Sequence, residues 1–134
     1  MDLATAKRTT LAQENEIASA IPAAAVIERD QSETSGLLSC GEGNYLWYGH
    51  LYLTLAPGTD GSGYLPAIAE DWAGRPGWST RMRTTPDGLA ELVLAHGSGY
   101  NHSVVYNPQR GTLRIMSDSR SFPYPPGIEP GVSY

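Results

Sequence analysis

Cysteine occurs once in this chain of 134 residues, at Cys40. A single thiol excludes an intrachain disulfide. At this length a chain buries roughly two thirds of the surface its unfolded form exposes, so a core can form without metal or crosslink. No stretch approaches the roughly 18 apolar residues of a membrane span, so no transmembrane segment is expected. Basic residues are scarce and scattered: nine Lys and Arg stand against fourteen Asp and Glu, a net charge of -5. Arg81, Arg83, Arg110, Arg114 and Arg120 form no cluster. Nucleic acid requires a basic face, so no nucleic-acid partner is expected. The opening Met1-Asp2-Leu3-Ala4-Thr5-Ala6-Lys7-Arg8 has no apolar core behind a basic start, so it is not a signal peptide. Taken literally the chain is cytoplasmic; the other reading is a mature exported domain whose signal has been removed.

What is present is hydrophobic patterning. Residues 1–22 read as an N-terminal helix, rich in Ala, Gln, Glu and Leu and stopped by Pro22. Thr10-Leu11-Ala12-Gln13 resembles a capping box, which places the ordered start near Leu11. Leu11, Ala18 and Ile21, with Glu14 and Ile17 beside them, form a narrow apolar stripe suited to docking on a sheet. Val26-Ile27 reads as a short edge strand or connector, and 28–36 as an exposed polar loop. From Tyr45 to Leu55 residues alternate: Trp47, Leu51, Leu53 and Leu55 on one face, Tyr48, His50, Tyr52 and Thr54 on the other. Leu65, Ile68, Ala69 and Trp72 share one face of a helix over 64–74. Four strands joined by hairpins follow, with turns at Thr85-Pro86-Asp87-Gly88, Gly97-Ser98-Gly99 and Asn107-Pro108-Gln109-Arg110-Gly111. Residues 122–134, rich in Pro and Tyr, read as an extended surface tail. The expectation is one domain over 1–134 of α+β class. An antiparallel sheet of about five strands spans 45–117, with both helices on one face in a two-layer sandwich.

Candidate chemistry is sparse. His96 and His102 flank a hairpin and His50 lies on another strand, but none of the tight spacings of a metal site is present. No metal and no cofactor are expected. Gly97-Ser98-Gly99 lacks a nucleophile elbow, and no base is identifiable beside Cys40. Glu70-Asp71 point apart on a helix and suit a solvated face. Cys40 is expected to be a free, buried thiol acting as a small hydrophobe. Tyr48, His50 and Tyr52 together make an amphipathic patch if helices cover only the opposite face, and such patches suit protein or glycan contact. The competing reading is that the N-terminal helix or the Pro-rich tail covers them.

Several short motifs carry a resemblance. Glu16-Ile17-Ala18-Ser19-Ala20-Ile21-Pro22 closes the first helix, and Leu37-Leu38-Ser39-Cys40 precedes the aromatic strand. Thr54-Leu55-Ala56-Pro57-Gly58-Thr59-Asp60, a helix ending at Trp72, Gly77-Trp78 and Ser117-Asp118-Ser119-Arg120-Ser121-Phe122 follow. This layout resembles small secreted lipoproteins of actinobacteria, an uncharacterised group. The resemblance implies export to the cell surface, a lipid anchor upstream, and no assigned activity. It also implies a late cysteine bridged to the equivalent of Cys40; Ser121 stands at that place here. On that basis Cys40 and Ser121 should lie roughly 4.4–6.8 Å apart between Cα atoms. Leu37-Leu38-Ser39-Cys40 is itself no lipobox, since the polar Arg29-Asp30-Gln31-Ser32-Glu33-Thr34 precedes it.

Three functions compete. The first is a non-enzymatic cell-envelope or extracellular domain that binds a protein or cell-wall partner through Tyr48, His50 and Tyr52, with His96 and His102 as further candidate binding residues. The second is a cytoplasmic or phage-type adaptor or inhibitor. The third is a small hydrolase using His50, His96 or His102 with Ser98 or Cys40. The missing catalytic constellation points away from an enzyme.

Overall fold

The computed structural model describes residues 2–123, 133 and 134. In chain order the elements are α1 (Leu3–Ala18), a 3-10 turn (Ala23–Ala25), β1 (Val26–Gln31), β2 (Leu37–Gly41), β3 (Asn44–Leu55), α2 (Tyr64–Ala73), β4 (Trp78–Thr84), β5 (Ala90–His96), β6 (Asn101–Asn107), β7 (Thr112–Asp118) and β8 (Phe122–Pro123). The α+β class and the antiparallel sheet stand as expected, but the sheet has eight strands. Its order is β1-β3-β7-β6-β5-β4, with β2 and β8 pairing on the first half of β3.

The extra strands come from segments that are unremarkable in isolation. β1 runs through Glu28-Arg29-Asp30, expected to be loop, because β3 offers a free edge opposite it. Polar residues are tolerated there since an edge strand meets water. β2 forms a hairpin with β3 through Gly41-Glu42-Gly43, where all three residues have positive φ. The two glycines adopt that region without steric cost. Phe122 was expected in a surface tail; it is fully buried, and β8 pairs it with Tyr45. The remainder of the expected tail, 124–132, lies outside the described residues. Beyond it, Tyr134 exchanges backbone hydrogen bonds with Ser35, and its carbonyl accepts from Trp47 Nε1 at 2.6 Å.

Helix α1 begins eight residues earlier than the capping box suggests. Asp2 caps it by accepting from Thr5 N at 2.8 Å. Thr10 is buried mid-helix, and its hydroxyl donates to Ala6 O at 2.8 Å instead of capping.

Both helices pack on one face of the sheet. The main core joins Ile17, Ala18 and Ile21 to Leu51, Leu53 and Leu55 of β3, Leu65, Ile68 and Trp72 of α2, and Leu92, Leu94, Val104, Leu113 and Ile115 of the hairpin strands. A second cluster of Ala6, Trp47 and Phe122 closes the end where β2 and β8 flank β3. The period-two alternation of β3 holds throughout: odd residues from Trp47 to Leu55 are buried, and even ones reach the outer face. Gly49 is part of this packing, since a Cβ there would lie 2.5 Å from the Trp47 ring.

The expectation for Cys40 fails twice. The residue is exposed. It also lies on β2, on one side of β3, while Ser121 adjoins β8 on the other. Two strand spacings put the chains roughly 10 Å apart, beyond disulfide reach. The bridge that the resemblance implies has no place in this strand order.

Two outcomes follow. Gly49→Ala is expected to cost about 1–3 kcal/mol in urea denaturation, because Trp47 must leave its position. Cys40 is expected to react with a thiol reagent as readily in native protein as in urea; protection in the native state contradicts the exposed placement.

Candidate functional site

The five residues singled out from sequence divide between the two sides of the sheet. Tyr48, His50 and Tyr52 stand in a row on the outer face, opposite the helices. His50 and Tyr52 stack, with ring centroids 4.1 Å apart and planes at 18°. Tyr48 is 40% exposed, and across the β3–β7 ladder these three face Asp118, Met116 and Arg114. Met116 is 50% exposed. Asp30 Oδ2 lies 3.8 Å from His50 Nε2. Partial burial pushes the Asp118 carboxyl above its usual range. Two grooves border the row. One, of about 540 Å³, runs along Asp30, Tyr52, Thr54, Asn107 and Arg114. The other, of about 470 Å³, is lined by Leu38, Tyr48, Asn101, Met116 and Asp118. The row therefore pairs flat aromatic surface with carboxylates, amides and a guanidinium, a composition suited to holding a partner without chemistry.

His96 and His102 lie on the helix-covered face, around Trp78. Trp78 meets His96 at 5.1 Å, His102 at 5.9 Å and Trp72 edge-on at 4.6 Å between ring centroids. Arg75 sits over Trp72 at 4.1 Å and is tied to Glu16 and Asp71. The three histidines do not converge, and among the described residues no three His, Cys, Asp or Glu form a metal-binding group.

Of the hydrolase pairings, only His96 and Ser98 touch. Ser98 Oγ is 2.7 Å from His96 Nδ1, but the Ser98 backbone N–H also donates to that nitrogen at 3.1 Å. This is a local turn, and among the described residues no carboxylate orients the imidazole as a triad would require. Cys40 pairs near Asn44 and Tyr45, roughly 16 Å along β3 from His50.

The most organised polar feature was not selected from sequence. Glu14, fully buried on α1, reaches Ser117 of β7 at 2.7 Å through Oε2 and accepts from Gln31 Nε2 at 3.2 Å through Oε1. Ser117 Oγ is also 2.7 Å from His102 Nδ1, and His102 Nε2 is 2.7 Å from Gln13 Oε1. Gln31 further donates to Leu11 O at 3.3 Å. A signal was available: Glu14 interrupts the apolar stripe of α1, where a carboxylate is buried only with partners.

Counting donors defines the protonation of this chain. Ser117 has one hydroxyl proton and two partners. If His102 is neutral and donates from Nε2 to Gln13, its Nδ1 takes the Ser117 proton, and Glu14 reaches Ser117 only when protonated. If Glu14 is ionised, Ser117 donates to it and His102 Nδ1 must be the donor. In both arrangements Glu14 and His102 share one proton. Burial favours the first: it raises the Glu14 carboxyl and lowers His102 to about 4.

No protein-family model, curated protein or solved structure matches this chain.

The linkage has a definite sign. Between pH 6.5 and about 4 the unfolded chain protonates His102 while the folded chain does not, so stability falls as pH is lowered through this window. The loss is of the order of 3 kcal/mol. Glu14 acts oppositely: the folded state keeps its proton above the usual carboxylate range, and that contribution is lost as pH rises through the raised value. These windows overlap, so the two contributions offset each other in the wild type. His102→Gln is expected to leave stability falling as pH rises above the usual carboxylate range, and Glu14→Gln to leave it falling as pH is lowered from 6.5 toward 4, in urea denaturation followed against pH. Profiles of both variants that match the wild type contradict the shared-proton arrangement.

Proposed function

We propose that this chain is a non-enzymatic binding domain of the cell envelope or extracellular space, engaging a protein or cell-wall partner with the outer face of its sheet. The observation that carries this reading is the row Tyr48, His50 and Tyr52 on the face opposite both helices, bordered by Met116, Arg114 and Asp118. Tyrosine supplies large contact area at low entropic cost, and its hydroxyl tolerates water at the rim. The envelope location rests on the short motifs that resemble secreted lipoproteins, and the separation of Cys40 from Ser121 counts against that resemblance. The hydrolase alternative loses ground because the histidines occupy opposite faces, and among the described residues the His96–Ser98 contact has no orienting acid. Among the described residues no helix is long and apolar enough to cross a membrane.

Captures on immobilised protein from envelope extract and from purified cell wall test this reading. The Tyr48→Ala/Tyr52→Ala double variant is expected to lose a partner that wild type retains, while unfolding at the same denaturant midpoint. Identical captures by both proteins, in both materials, overturn it.

A further inference from the structure

The two outer edges of the sheet are complementary to each other. At one edge, β4 places Arg81 and Arg83 on the outer face, in register with Val93 and Glu91 of β5. At the opposite edge, β1 places Glu28 and Asp30 on the same face, in register with Thr54 and Tyr52 of β3. All four side chains belong to exposed residues. We propose that β4 of one molecule pairs with β1 of a second copy, extending the sheet head to tail.

Three independent features agree. The first is strand direction. Every step along β1-β3-β7-β6-β5-β4 is antiparallel, so β1 and β4 run in opposite directions. A second copy placed alongside with the same face outward brings its β1 antiparallel to β4. The second feature is the phase of the free backbone groups. His96 N donates to Tyr100 O and Thr85 N to Leu89 O, so Ser79, Arg81 and Arg83 turn their peptide groups to β5. Thr80, Met82 and Thr84 therefore turn theirs outward. Ser32 N donates to His50 O, so Glu28 and Asp30 face β3 while Arg29 and Gln31 face outward. The third feature is charge. The register that sets Arg81 against Asp30 and Arg83 against Glu28 also sets Thr80 against Gln31 and Met82 against Arg29. In that register the outward peptide groups meet, and the charged pairs fall at the closer, non-hydrogen-bonded positions.

Symmetric pairing is disfavoured. β4 against β4 opposes arginines and β1 against β1 opposes carboxylates, and like charges directly opposite are destabilising. A head-to-tail contact that does not close on itself generates an open array instead of a dimer. Existing contacts are compatible: Arg83 keeps Glu91 as a neighbour within its own sheet, and Asp30 approaches His50 only at 3.8 Å. Asp30 and Arg83 also line the grooves beside Tyr52 and Tyr48, so the paired edges border the outer-face row.

Sedimentation velocity over a wide range of protein concentration tests the proposal. Wild type is expected to form growing assemblies that dissociate at 1 M salt, where the screening length is about 3 Å. Arg81→Glu and Asp30→Arg are each expected to weaken association by more than about tenfold, since each opposes like charges. Mixing the two variants restores association, because every β4–β1 contact between unlike variants is again an opposite-charge pair; this also shows that both are folded. A wild type that stays monomeric, or single variants that assemble as wild type does, overturns the proposal.

Discussion

Strand β3 is the constraint on which the rest of the structure depends. Its twelve residues pair with β1 and β2 along one side and with β7 and β8 along the other. Side chains alternate strictly, so its register decides which residues enter the core and which form the outer face. A slip of one residue would expose Trp47, Leu51, Leu53 and Leu55 and bury Tyr48, His50 and Tyr52. The candidate binding row and the core are thus two sides of one register.

That register is pinned at one end and in the middle. At the β2–β8 end, Ser119 Oγ accepts from Trp47 N at 2.9 Å, and Ser119 N donates to Trp47 O at 2.8 Å. At the middle, Ser117 pairs with Gly49 and joins the buried chain from Glu14 to His102. The chain links α1, β1, β6 and β7 through directional bonds, where a purely apolar contact would let the helix slide. Its members are costly to bury singly and tolerable only together. This gives α1 one seating on the sheet and couples that seating to pH.

The same sheet that displays the Tyr48 row also leaves two edges, and proteins usually blunt edges with charge. Here the charges are of opposite sign at opposite edges and lie on the same face. An array built through them would repeat the Tyr48 row at regular spacing, so a weak face could act through avidity.

The alternation of β3, the helical face Leu65-Ile68-Ala69-Trp72 and the Gly and Pro turns between β4 and β7 were legible in the sequence, because each is a local pattern with a local cause. They determined the α+β class, the helices on one face and the membership of the Tyr48 row. The tertiary structure decided the rest. β1 and β8 are strands because β3 supplies partners distant in sequence, and a polar Glu28-Arg29-Asp30 carries no strand signal of its own. Cys40 is exposed and parted from Ser121 because β3 runs between their strands. His50 parts from His96 and His102 because sheet face, not residue type, sets where a side chain points. Glu14 stood visible in an apolar stripe, but only folding brings Ser117 and His102 to it across the chain. Local patterning is encoded by neighbours in sequence; the pairing of edges and buried polar groups depends on contacts that exist only once the chain has closed.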